Sequence, residues 1–121
     1  MLQELQVGQA PGELHRRWFR DDYFDLIVWY ASDRIAGFQL CYDRLGHERA
    51  ITWFPDRGFS HDRVDAGDDS PTKSLAPMLV PAARGSFAPA QIVLRFEAAT
   101  ISIDSTVRGF VLSRLRDLPK A

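Results

Sequence analysis

The stretch WFRDDYFDLIVWYASDRIAGFQLCYDRLGHERAITWFPDRGF, Trp18 to Phe59, decides the fold. Eleven of the chain's fourteen aromatic residues lie in it: Trp18, Phe19, Tyr23, Phe24, Trp29, Tyr30, Phe38, Tyr42, Trp53, Phe54 and Phe59. Each apolar block ends at turn-forming residues. Leu14 to Phe19 reads as a first strand. Arg20-Asp21-Asp22 then supplies a turn, since aspartate tolerates turn dihedrals and bonds nearby backbone. Phe24 to Tyr30 is the clearest strand, rich in β-branched and aromatic side chains. Its faces are Phe24/Leu26/Val28/Tyr30 and Asp25/Ile27/Trp29. Both are mostly apolar, which predicts a central strand covered at least partly on both sides. Ser32-Asp33-Arg34 makes the next turn, and Ile35 to Tyr42 the third strand. In Asp43-Arg44-Leu45-Gly46, the glycine suits a positive φ and a bulge. A fourth strand runs from about Glu48 to Phe54, stopped by Pro55 and Asp56-Arg57-Gly58. Strands this close, joined by short turns, form an antiparallel meander.

The register of the second hairpin stays open. A two-residue loop sets Ile27 and Trp29 beside Phe38 and Leu40, whereas a three-residue loop sets Leu26 and Val28 there. A slip of one residue exchanges the faces.

Working outward, residues 1–11 are polar, with Gly8 and Pro11, and are expected to carry little order. Gly58 to Asp65 alternates enough for a short strand. Ala66 to Lys73 is the most loop-like stretch. Leu75 to Val80 is apolar, but Pro77 confines it to a sheet edge or an irregular extended segment. Pro81 to Ala88 reads as a connection.

From Pro89 the pattern changes, since proline suits the first turn of a helix. Ile92, Phe96, Ala99 and Ile103 recur at helical spacing. Ile92/Leu94/Phe96/Ala98 also alternates as a strand would, but helix is the preferred reading. Asp104 or Ser105 then serves as N-cap. Val107, Phe110, Val111, Leu115 and Leu118 form the buried stripe of a last helix. Arg114 and Arg116 suit its C-terminal dipole, and Pro119 ends it. Gly109 within it costs about 1 kcal/mol against alanine, which suggests close packing there. Strands followed by helices define an α+β domain. The expected architecture is an antiparallel β-meander of four to six strands packed against a C-terminal helical pair. Residues 1–121 form a single domain, with 1–11 flexible, 12–80 the sheet and 89–118 the helices.

Composition sets further bounds. A chain of 121 residues suits one domain with a real core. A net charge of −1 provides no general field for nucleic acid or an anionic membrane. The single cysteine, Cys41, has no internal disulfide partner and fits a reducing compartment. Residues 1–11 lack the pattern of a secretory leader, and no window is long and apolar enough to span a bilayer. The expectation is a soluble, cytoplasmic protein with no membrane partner.

The densest polar cluster is Ser60-His61-Asp62-Arg63, followed by Asp65, Asp68 and Asp69. On a strand, His61, Arg63 and Asp65 share one face. A histidine oriented by a carboxylate could serve as general base, so these three are the candidate catalytic residues. Ser60 points the other way, and no nucleophile-elbow glycine pattern surrounds it. The bland reading is a solvated strand end. The acidic spacing does not match a calcium-binding loop. His15, His47 and His61 lack the spacing of a zinc site. No metal or other cofactor is called for. Cys41 reads as a small core residue.

Arg16, Arg17 and Arg20 flank Trp18 and Phe19, and basic-plus-aromatic patterns occur in single-stranded nucleic-acid binders. Alternation splits these arginines between two faces, and no RNP-type motif is present. Trp29, Gln39 and Tyr42 are the polar-capable residues of the central strands and the candidate ligand-binding set. No dinucleotide, Walker, zinc-protease, C-x-x-C or serine-hydrolase motif occurs.

The strings RRWFRDDYFDLIVWY (Arg16–Tyr30), GFQLCYD (Gly37–Asp43) and GFSHDRVD (Gly58–Asp65) resemble small uncharacterised bacterial proteins of unknown function. The resemblance covers about residues 15–65 and implies no fold, activity or site residue.

The sequence leaves open whether the protein is an enzyme. The favoured expectation is a small binding or interaction module with an aromatic-rich sheet, possible partners being a second copy through a sheet face or a small-molecule ligand. The alternatives are a small enzyme or ligand-responsive protein using His61 with Asp65, and a single-stranded nucleic-acid binder.

Overall fold

The computed structural model of the chain describes residues 1–9, 14–63 and 88–118. Six strands form one antiparallel sheet in chain order: β1 (Gln3–Leu5), β2 (His15–Arg20), β3 (Phe24–Ala31), β4 (Arg34–Tyr42), β5 (Arg49–Phe54) and β6 (Gly58–Arg63). Two helices follow, α1 (Pro89–Ala99) and α2 (Ser105–Leu115). Neither is long and apolar enough to cross a membrane.

Both helices pack on one face of the sheet. The strands place Phe19, Leu26, Leu40 and Ile51 side by side there, with Phe24, Val28, Phe38 and Tyr42 around them. Ile92 and Phe96 come from α1, and Val107, Val111 and Leu115 from α2. Phe96 meets Phe24 edge-on at 5.6 Å, and Phe110 meets Trp53 edge-on at 5.5 Å. Each large apolar side chain buried here contributes roughly 1.5–3 kcal/mol of transfer free energy.

Residues 92–99 resolve in favour of helix as part of α1, which ends at Ala99, while Ile103 lies in the turn that follows. Thr100, fully buried, bonds its hydroxyl back to the Phe96 carbonyl at 2.6 Å. Asp104 is the N-cap of α2, accepting from Thr106 N at 2.7 Å.

The second hairpin combines features of both possible registers. Its loop has two residues, Ser32 and Asp33, because Ala31 pairs with Arg34; Ser32 takes φ 59°. Tyr30 pairs with Ile35, but Trp29 pairs with Gly37, so Ala36 is the extra residue of a β-bulge. The bulge shifts the register by one. Leu26 therefore meets Leu40, and Val28 meets Phe38.

Three expectations are corrected. The N-terminal residues are not orderless: β1 pairs with β2, and Leu2 is fully buried with its amide donating to the Ala99 carbonyl at 2.7 Å. In the 43–46 turn, Asp43 rather than Gly46 takes the positive φ, at 57°. It does so as an aspartate, whose short polar side chain is tolerated in that region. Gly109 has open space beside it, so close packing is not its reason. The expectations for Asp65, Ala66–Lys73, Leu75–Val80, Pro119 and nearly all of Pro81–Ala88 lie outside the described residues.

Candidate functional site

The candidate residues divide between the two faces of the sheet. Tyr42 and His61 lie on the helix side, Trp29 and Gln39 on the other. This follows from the register, because Ile51 pairs with both Leu40 and His61, while Gln39 pairs with Ile27.

On the helix side, the Tyr42 hydroxyl stands 2.5 Å from His61 Nε2, and the rings are parallel, with centroids 5.8 Å apart. The pairing reaches across β5, whose Arg49 also hydrogen-bonds the Tyr42 hydroxyl. Arginine only donates. The hydroxyl thus accepts from Arg49 and is free to donate its own proton to Nε2. Burial, with Arg49 as the second cause, lowers the His61 pKa to about 4. Burial raises the Tyr42 pKa. Both groups are therefore neutral near pH 7, and His61 is a weak base there. Arg63 follows at the exposed end of β6, and Asp65 lies outside the described residues. The structure thus joins His61 to Tyr42, two residues assigned above to different candidate sites.

On the other side, Trp29 and Phe54 stack at 5.5 Å with 27° between their planes. Gly37 lies beneath them and pairs with Trp29. A β-carbon there would collide with the Phe54 ring and sit 2.7 Å from the Trp53 carbonyl. Arg57 caps the ridge, its guanidinium 5.8 Å from the Phe54 ring centroid. Toward the opposite end of the strands, the Trp18 indole donates to Asp25, which also pairs with Arg20 at 3.0 Å. Cys41 and Ala50 are buried between the larger side chains. Burial pushes the Cys41 thiol up to about 11, so it is not a thiolate nucleophile at neutral pH. Trp18, Ile27, Trp29 and Phe54 stand outside the core cluster. No described element packs over them in the way that α1 and α2 cover the helix side.

The arginine group is largely neutralised. Arg17 turns to the helix side, where Glu4 at 2.7 Å and Asp104 at 3.1 Å hold it. Arg20 is held by Asp25. Among the described residues, no group of three or more His, Cys, Asp or Glu side chains is placed to hold a metal ion. An apolar groove of about 520 Å³ between the helices is lined by Pro89, Val93, Leu94, Leu115 and Leu118, with Arg116 its charged member.

Sequence reasoning missed Phe54, Gly37 and Arg57 as one unit, and Arg49 as the partner of Tyr42. The available signal was a glycine inside a strand, which marks close approach of another group. Comparison with protein-family models, curated proteins and solved structures finds no match to this chain.

Proposed function

We propose that the chain is a small interaction module whose working surface is the sheet face opposite the helices. The observation that carries this reading is the Trp29–Phe54 stack over Gly37, placed outside the core cluster. Large aromatic side chains gathered on a face that the helices do not cover suit recognition of another protein. The alternatives draw less support. His61 is a weak base already engaged by Tyr42, and two of the three arginines flanking Trp18 are tied to carboxylates.

The test is collisional quenching of Trp18 and Trp29 in dilute protein, using Trp53→Phe to remove the third tryptophan. Efficient quenching by acrylamide is expected of a face open for docking. Strong protection of both indoles in the dilute monomer would overturn the reading, because the face would then already be covered.

A further inference from the structure

We infer that the edge of β2 at Arg16 takes a short, extended, acidic segment of a partner protein, in the place that the Gln9 side chain holds in the chain alone. The site lies at the sheet edge, apart from the face proposed above, and does not depend on that face.

β1 covers only part of β2. Their pairing runs from Gln3–Arg20 to Leu5–Trp18 and stops there. Continued in the same register, it would bring Val7 opposite Arg16. The strand instead ends at Leu5. Beyond it a cleft of about 530 Å³ opens, lined by Leu5, Gln6, Val7 and Gln9 from the N-terminal arm and by His15 and Arg16 from β2. That volume lies within the range of ligand-binding clefts.

Arg16 lies opposite Trp29 of β3, but its main-chain N–H and C=O point the other way, to the sheet edge. There the Gln9 side chain meets both. Its Oε1 accepts from the Arg16 N–H at 3.1 Å, and its Nε2 donates to the Arg16 carbonyl at 2.9 Å. A primary amide offers an acceptor and a donor together. A strand residue offers the same two groups when it exchanges both bonds with its antiparallel neighbour. The edge is thus formed to pair with an extended chain, and a side chain stands where that chain would lie. Strand addition to a sheet edge draws its affinity from these main-chain bonds.

Covering an open edge is also a way to prevent unwanted pairing. Two features favour a binding site over a plain cover. Gln9 is exposed and holds the edge by its side chain alone. A peptide that displaces it restores both bonds, so the exchange is nearly balanced. The second feature is charge. Among the described residues, the Arg16 guanidinium meets no carboxylate and touches the Gly8 carbonyl at 3.4 Å, whereas Arg17 and Arg20 are both ion-paired. A residue paired with Arg16 puts its side chain on the same face of the sheet, beside the guanidinium. Asp or Glu at that position supplies the missing counter-charge. β1 already occupies Trp18 to Arg20, so the segment pairs over few residues and binds weakly.

The experiment is fluorescence anisotropy of a dye-labelled, end-blocked pentapeptide, Thr-Val-Glu-Val-Thr, and of its lysine-centred counterpart. Each is titrated with the full chain as wild type, Gln9→Ala and Arg16→Glu. Amide chemical shifts of the wild type, followed by NMR with unlabelled peptide, locate the site. The glutamate peptide is expected to bind the wild type weakly and to move the Arg16 amide most. It should bind Gln9→Ala about tenfold more tightly, because the competing amide is gone. The lysine peptide should bind about fivefold less well, and Arg16→Glu should reverse that preference. Absence of binding to Gln9→Ala at millimolar protein overturns the site. So does equal affinity for wild type and Gln9→Ala, indifference to the charge swap, or a shift pattern centred away from His15 to Arg17. A Gln9→Ala chain that associates with itself and ignores the peptide also overturns it, since Gln9 would then only shield the edge. The wild-type titration needs no variant, so the test survives if a substitution prevents folding.

Discussion

Tyr42 and His61 form a neutral pair across β5, hydroxyl to Nε2 at 2.5 Å, with rings 3° from parallel. Its consequence is a pH dependence of definite sign. The His61 pKa falls from 6.5 to about 4 on folding. Between those values the unfolded chain binds the proton and the folded chain does not, so stability drops as pH falls through this window. Burial raises the pKa of Glu48 and of Asp62, which acts in the opposite sense. The comparison that isolates the histidine is wild type against His61→Gln, by urea unfolding at neutral pH and at about pH 5. The wild type should lose on the order of 1 kcal/mol more than the variant, a figure discounted for the partly exposed ring. Equal losses would remove this account of the pair.

Gly37→Ala should destabilise the sheet by about 1–3 kcal/mol, as overpacking does in a tight site. The new methyl meets a ring that can move and a backbone carbonyl that cannot, since Trp53 O would be 2.7 Å away. Adding Phe54→Ala should therefore recover only part of the loss. Equilibrium unfolding of the two single variants and the double gives the coupling. Full recovery would place the whole conflict in the ring.

Most of the sheet was legible because its signals are local. The alternation of Phe24 to Tyr30, and the aspartates between blocks, need no knowledge of distant residues. The register of β3 on β4 was not legible. A two-residue loop at Ser32-Asp33 implies one register, and the bulge at Ala36 produces the other. The bulge serves burial: it turns Leu26, Val28, Phe38 and Leu40 to one face, where the helices cover them. The order of β1 was also hidden, because three residues carry no period and their anchor is tertiary. The Tyr42–His61 pair was only half visible. Both residues drew notice, but their meeting depends on β5 lying between β4 and β6, which becomes clear only once the strands are placed in order.

The N-terminal anchor leads to a third expectation. Leu2 has no exposure, and its amide reaches the last carbonyl of α1. Leu2→Ala should cost about 2–5 kcal/mol, the range for a buried leucine truncated in a packed core. A loss under about 0.5 kcal/mol, the scale of an ordinary surface substitution, would return the segment to the loosely held arm that its composition suggests. Thermal or urea unfolding decides between these outcomes.

Asp104 performs two tasks that substitution can separate. One carboxylate oxygen caps α2 by accepting from Thr106 N at 2.7 Å, while the other meets Arg17 at 3.1 Å and ties β2 to the helix pair. The Arg17 hydrogen bond, followed by the Thr106 amide, lowers the Asp104 pKa. The stabilisation is therefore present above the ordinary carboxylate pKa and is lost as pH falls through the folded value. Asn at this position keeps the capping oxygen and removes the charge. Ala removes both. Melting temperatures should therefore rank wild type above Asp104→Asn, and Asp104→Asn above Asp104→Ala. Salt should narrow the first gap, because the ion pair is solvent-accessible. It should leave the second, since the cap is a short hydrogen bond to a backbone amide. If both gaps close together with salt, the cap contributes little and Asp104 acts through Arg17 alone.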